Sequence, residues 1–157
     1  MTILHSLIAS LLLAAPISPK LNTGVVVKYA PDLTCSVRVS HDAAGTKLVT
    51  SGGSYATASG SGSLYVHVMI TNKGPVDAAL AKHRVSVQRS GSSIASTDQE
   101  IAIPAGLSKV YDPIQVPMTS LSNHLAVAVS TDANNQVSER SEQNNACSFS
   151  FDYSTAH

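Results

Sequence analysis

The sequence predicts an all-β sandwich of seven or eight short antiparallel strands, and three observations carry that expectation. Apolar residues recur at every second position in 33–39, 64–70, 125–129 and 147–151, the period of a strand with one buried face. Glycine, proline, asparagine and serine cluster between these runs, where they turn the chain. Between Gly24 and Phe151 no segment holds a helical period, and no internal repeat suggests a propeller or solenoid.

Taken in order, residues 1–18 form an apolar N-terminal segment, 19–30 a lead-in, 31–152 the sandwich and 153–157 a tail. The first segment has no Lys or Arg before Lys20, and Ile3, Leu4, Leu7, Ile8 and 11–15 give it the apolar length of a secretory signal peptide, too short to span a bilayer. Its cleavage options are poor, because Ala15 and Ser18 each precede proline. The alternative is an amphipathic helix with Leu4, Leu7, Ile8, Leu11 and Ala15 on one face, packed on the protein or on a neighbour.

Val25, Val26 and Val27 make a short β-branched run, 33–39 alternates cleanly, and 46–50 is a candidate extension. Residues 51–63, SGGSYATASGSGS, lack apolar periodicity and predict an exposed loop in which Tyr55 has no evident partner. Strand signals resume at 64–70 and end at Asn72-Lys73-Gly74-Pro75, where Asn and Gly tolerate left-handed angles and proline cannot donate to a ladder. A strand around 84–89 precedes the turn Ser90-Gly91-Ser92-Ser93. A weaker strand at 94–103 precedes Pro104-Ala105-Gly106, and 107–116 reads as an edge because of Pro113 and Pro117. The runs 125–129 and 147–151 close the domain as a hairpin around 132–145.

Composition narrows the function. Ten basic residues balance ten acidic ones without a basic cluster, so the chain lacks the electrostatic footprint of a nucleic-acid or anionic-membrane binder. Its 157 residues hold one domain, and charged residues are only 13%, a composition common in secreted β-proteins. Cys35 shares a face with Leu33, Val37 and Val39, and Cys147 with Phe149 and Phe151. With an export-like start this pattern predicts one Cys35–Cys147 disulfide, contributing about 4–5 kcal/mol on chain-entropy grounds; two separate buried thiols are the alternative.

The stretch 132–145, DANNQVSERSEQNN, is the densest in carboxylates and amides. Asp132, Asn134, Glu139 and Glu142 are weak calcium candidates, since Asp132, Asn134, Gln136 and Ser138 alternate like the oxygen ligands of a calcium loop. Two details oppose this: Val137 stands where an EF-hand needs glycine, and Gln143 where it needs a bidentate glutamate. The preferred reading is turn chemistry, with Asp132 and the asparagines bonding nearby amides, Val137 in the core and the glutamates receiving N–H groups. No Gly-x-Ser-x-Gly and no Gly-rich phosphate loop occurs, the six histidines show no metal-ligand spacing, and His83 reads as a strand residue beside Val85 and Val87.

These motifs together resemble the CARDB domain, the cell adhesion related domain found in bacteria, over roughly 31–151. Pro31-Asp32-Leu33 resembles its opening strand, Ile70-Thr71-Asn72-Lys73-Gly74 its Val-x-Asn-x-Gly with Ile for Val, and Pro104-Ala105-Gly106 its mid-domain turn. Asp132, Asn135, Val137, Glu139, Glu142, Asn144 and Asn145 match its closing pattern; Arg140-Ser141 and the cysteine pair depart from it. The resemblance implies an immunoglobulin-like or fibronectin-like sandwich. It further implies a non-enzymatic adhesion or binding module, secreted or on the cell surface, with a protein or glycan partner and no cofactor. The alternative is a structural subunit of an extracellular assembly that self-associates through the apolar N-terminal segment.

Overall fold

In the computed structural model the described residues are 29–57, 62–118 and 123–155, so the apolar N-terminal segment, the run 25–27, His5 and His157 lie outside them. The described residues form nine strands and no helix. They are β1 (Leu33–Ser40), β2 (Ser54–Thr57), β3 (Ser63–Asn72), β4 (Ala78–Arg89), β5 (Ser92–Ile103), β6 (Ser108–Val110), β7 (Ile114–Pro117), β8 (Asn123–Ser130) and β9 (Ala146–Thr155).

Two sheets pack face to face. One is built on β3, which pairs with β1 on one side and with β6 and then β7 on the other; the second runs β2-β9-β8-β4-β5. Alternation puts Leu33 and Val39 of β1 and Leu64, Val66, Val68 and Ile70 of β3 inward. They meet Val85 and Val87 of β4, Leu125, Val127 and Val129 of β8, and Phe149, Phe151 and Tyr153 of β9 in one core. Each fully buried Val, Leu or Phe contributes roughly 1.5–3 kcal/mol, so this contiguous set is the main source of stability. β8 and β9 pair antiparallel from Asn123↔Tyr153 to Ser130↔Ala146, so the stretch 131–145 is a hairpin connection.

The observed strands exceed the expected seven or eight for local reasons. β2 forms inside the Gly/Ser stretch read as a loop, and Tyr55 holds it there: its ring meets Phe151 edge-on at 5.8 Å and His41 at 6.1 Å, and its hydroxyl accepts the Thr50 N–H. β2 pairs with β9 in parallel, the exception to the antiparallel pattern, because the chain reaches it by crossing from β1 in the other sheet. The expected edge at 107–116 divides into β6 and β7, both on β3. The candidate strand at 46–50 amounts to a single Ser40↔Leu48 bridge.

β4 starts six residues before the expected 84, since a bulge between Ala78 and Ala81 exposes Ala79 and Leu80 consecutively and erases the alternation. Ser90 and Gly91 connect β4 to β5 with φ of 48° and 83°, the positive pair that a two-residue hairpin turn requires.

Candidate functional site

Three connections meet where β1 begins, and hydrogen bonds hold each of them there. The β8–β9 connection is closed at its base by Thr131, whose N–H donates to the Asn145 carbonyl at 2.7 Å. Asp132 and Asn135 follow with φ of 42° and 50°, angles that short amide and carboxylate side chains tolerate. This curl brings the Asp132 carboxylate over the chain ahead. Its two oxygens accept the N–H of Gln136 at 2.7 Å and of Val137 at 2.9 Å, and the Val137 side chain is buried. β4 anchors the outer side: Ala133 N–H donates to the Lys82 carbonyl at 2.7 Å, and Lys82 N–H to Gln136 Oε1 at 3.2 Å.

Glu139 ties the connection to β1. Its carboxylate accepts the Leu33 N–H and, at 2.9 Å, the Asn145 amide, while the next peptide, Arg140, donates to the Pro31 carbonyl at 2.9 Å. Glu142 accepts the Glu139 N–H at 3.3 Å and the same Asn145 amide at 3.2 Å, so one asparagine bridges both glutamates. Asn144 donates to the Asp32 carboxylate at 2.7 Å.

The second connection supplies a buried hub, Asn72. Its Oδ1 accepts the N–H groups of Asp32 and Gly74 at 3.1 and 3.0 Å, and its Nδ2 donates to the carbonyls of Val76 and Ile103 at 2.8 and 3.0 Å. Asn72 and Gly74 are absent from the positive-φ positions, so left-handed tolerance is not their task, contrary to the sequence expectation. Gly74 is small for another reason: a Cβ there would lie 2.3 Å from the Ala30 carbonyl oxygen and 2.7 Å from Pro31 backbone atoms. The third connection joins through Gly106 N–H to the Asn72 carbonyl and Asn72 N–H to the Leu107 carbonyl, both at 3.0 Å.

Ligating oxygens of Asp132, Glu139 and Glu142 converge within 4.8 Å of one another. Asp132 and Glu139 are buried and Glu142 is exposed; Asn134, the fourth calcium candidate, is exposed and outside the group. Among the described residues the ion pairs are Lys82–Asp98, Arg84–Asp98 and His124–Asp152, none at this cluster. Burial pushes the Glu139 carboxyl up to about 7; the Leu33 and Asn145 hydrogen bonds work against the rise, and the charges of Glu142 and Asp132 add to it.

His83, 1% exposed, accepts the Asp132 N–H at Nδ1 over 3.4 Å, with Nε2 at 3.4 Å from the Ile101 carbonyl. A ring accepting at Nδ1 and donating at Nε2 is neutral, and burial accordingly lowers its pKa against the opposing Ile101 bond. Alternation along β4 places His83 inward, but its partner lies 49 positions away, beyond any local signal. Cys35 and Cys147 form a disulfide with Cα atoms 5.8 Å apart, joining β1 to β9 across the two sheets.

The cluster offers hard oxygen donors from three carboxylates. Its chemistry is proton holding at Glu139 or cation coordination.

A family model named CARDB matches residues 30–149. A crystal structure of the CARDB domain of the PF1109 protein from Pyrococcus furiosus, in complex with di-metal ions, superposes with a TM-score of 0.56 at 16% identity, covering 81% of this chain and 96% of that one. The solution NMR structure of the CARDB domain of PF1109 gives 0.55 at 16% identity, covering 80% and 97%. At this identity the likeness concerns the fold. No curated protein matches the chain.

Proposed function

Because the chain belongs to the CARDB family, whose match spans residues 30–149, we propose that it is a non-enzymatic adhesion or binding module that acts outside the cell through protein or glycan contact. The family assignment is the observation that carries this reading. A disulfide between the sheets supports an oxidising compartment, and the balanced charge supports contact by shape and hydrogen bonding. No helix among the described residues is long and apolar enough to cross a membrane. The test is saturable binding of the oxidised full chain to immobilised glycans and to whole cells. Substitution of Ser59 and Ser61 then probes the Gly/Ser stretch without touching β2, and absence of binding to both surfaces overturns the proposal.

A specific observation favours a second role within the same module, a divalent cation held by Asp132, Glu139 and Glu142. Among the described residues the three carboxylates converge with no Lys or Arg paired to them, Asn145 Oδ1 beside them is buried with no partner, and the similar Pyrococcus domain is described with di-metal ions. Oxygen-only donors suit calcium or magnesium. Since a proton on Glu139 competes with the ion, affinity is expected to rise as pH passes 7. Calcium titration of chelator-treated protein should raise Tm, and Glu142→Gln should remove the rise. Absence of both binding heat and a Tm shift ends this reading.

A further inference from the structure

We propose that the outer edge of β5 pairs with β5 of a second copy of this chain, antiparallel about a two-fold axis at Thr97. A strand edge is a row of peptide groups that can accept another strand, and among the described residues the other edges are short or closed. β1 is closed at both ends, by the Leu33 N–H on Glu139 and by the Val39 carbonyl, which accepts the Val49 N–H at 2.8 Å. β2 has four residues, and β6 and β7 have three and four, with Pro113 between them. β5 has twelve, contains no proline, and pairs among the described strands with β4 alone.

The ladder fixes which groups face outward. Lys82 turns its peptide groups to the β8 side, since its carbonyl accepts the Ala133 N–H at 2.7 Å and its N–H donates to Gln136 at 3.2 Å. Antiparallel alternation then directs the peptide groups of His83, Val85 and Val87 at β5, opposite Gln99, Thr97 and Ala95. Those of Ser96, Asp98 and Glu100 therefore point away from β4, and all three residues are exposed. With Thr97 on the axis, Thr97 faces Thr97, and each Ser96 stands opposite Asp98 of the other copy. That pairing sets a hydroxyl beside a carboxylate already held by Arg84 at 2.8 Å, so no like charges oppose. An axis at Asp98 would set the two carboxylates against each other. An axis at Ser96 would set Asp98 against Ile94, which the register shift beside Val87 leaves unpaired. The strand is self-complementary about Thr97, the property that a two-fold interface between identical chains requires.

Sedimentation and hydrogen exchange on the oxidised full chain, dilute and concentrated, test the proposal. A dimer is expected to form with concentration, and the amides of Ser96 and Asp98 should then exchange about tenfold or more slowly than in dilute protein. The amides of Ala95, Thr97 and Gln99, which face β4, should be slow at both concentrations. Ser96→Asp, at an exposed position, sets like charges across the axis and should abolish the dimer, whereas Ser96→Lys, opposite Asp98, should keep it. Ser96→Pro removes an outward N–H without removing a β4–β5 hydrogen bond and should also give a monomer. A parent protein that stays monomeric at both concentrations overturns the proposal. So does slow exchange of Ser96 and Asp98 that persists on dilution, which would mean that the edge is covered within one chain, or a dimer that survives both Ser96→Asp and Ser96→Pro.

Discussion

Asn72 and Glu139 are single residues on which separate parts of the chain depend. Asn72 is fully buried and serves two donors and two acceptors from three segments. Asn72→Ala leaves several buried backbone groups unpaired, and the expected loss is about 3 kcal/mol in urea denaturation. Glu139 makes stability depend on pH. Its folded carboxyl titrates near 7 against an ordinary value of 4.5, so the folded state holds the proton more tightly than the unfolded state. The resulting stabilisation is complete below the unfolded value and is lost as pH rises to about 7, a change on the order of 3 kcal/mol for a group so well buried. His83 runs the other way: its lowered pKa gives stability present above the ordinary 6.5 and lost as pH falls through the folded value. The two slopes oppose each other in the acid range. The diagnostic measurement is therefore the difference between the parent protein and Glu139→Gln in chelator, which should keep the acid-side loss and shed the decline from pH 4.5 to 7.

At the scale of elements, legibility followed locality. β1, β3, β8 and β9 were readable because each keeps unbroken alternation, and the closing motif was readable because its turn chemistry acts within a few residues. The start of β4 was hidden by its bulge. β2 was hidden because a flanking Gly/Ser composition masks a strand that pairs with β9 and whose Tyr55 packs on Phe151, both far along the chain. The glutamate pair and its shared Asn145 were visible as residue types, but their convergence with Asp132 and the Leu33 N–H depends on β1 lying beside the connection. Glycines show the same contrast between local and distant causes. Gly74→Ala drives a Cβ into the Ala30 and Pro31 backbone and should cost about 2–3 kcal/mol by overpacking. Gly91→Ala meets nothing within 4 Å and should cost about 1–2 kcal/mol, from the φ of 83° alone. Chemical denaturation of the two variants separates these mechanisms, and equal costs would contradict them.

At the scale of the molecule, the described residues form two sheets whose facing residues make one core, joined covalently between β1 and β9. The cysteines are 112 positions apart, so on chain-entropy grounds the bond contributes about 5 kcal/mol. Reduction, or Cys35→Ser with Cys147→Ser, should lower the urea midpoint accordingly. An unchanged midpoint in the presence of reductant would mean that the core alone sets stability.

The same bond determines how the domain carries mechanical load. Cys35 lies in the first described strand and Cys147 in the last, so tension applied at Leu33 and Thr155 passes through the sulfurs and bypasses nearly the entire intervening chain. Pulled from those ends, the oxidised domain can pay out only the few residues outside the bond, even when both sheets separate. It behaves as a link of fixed length, and reduction converts it into an extensible one.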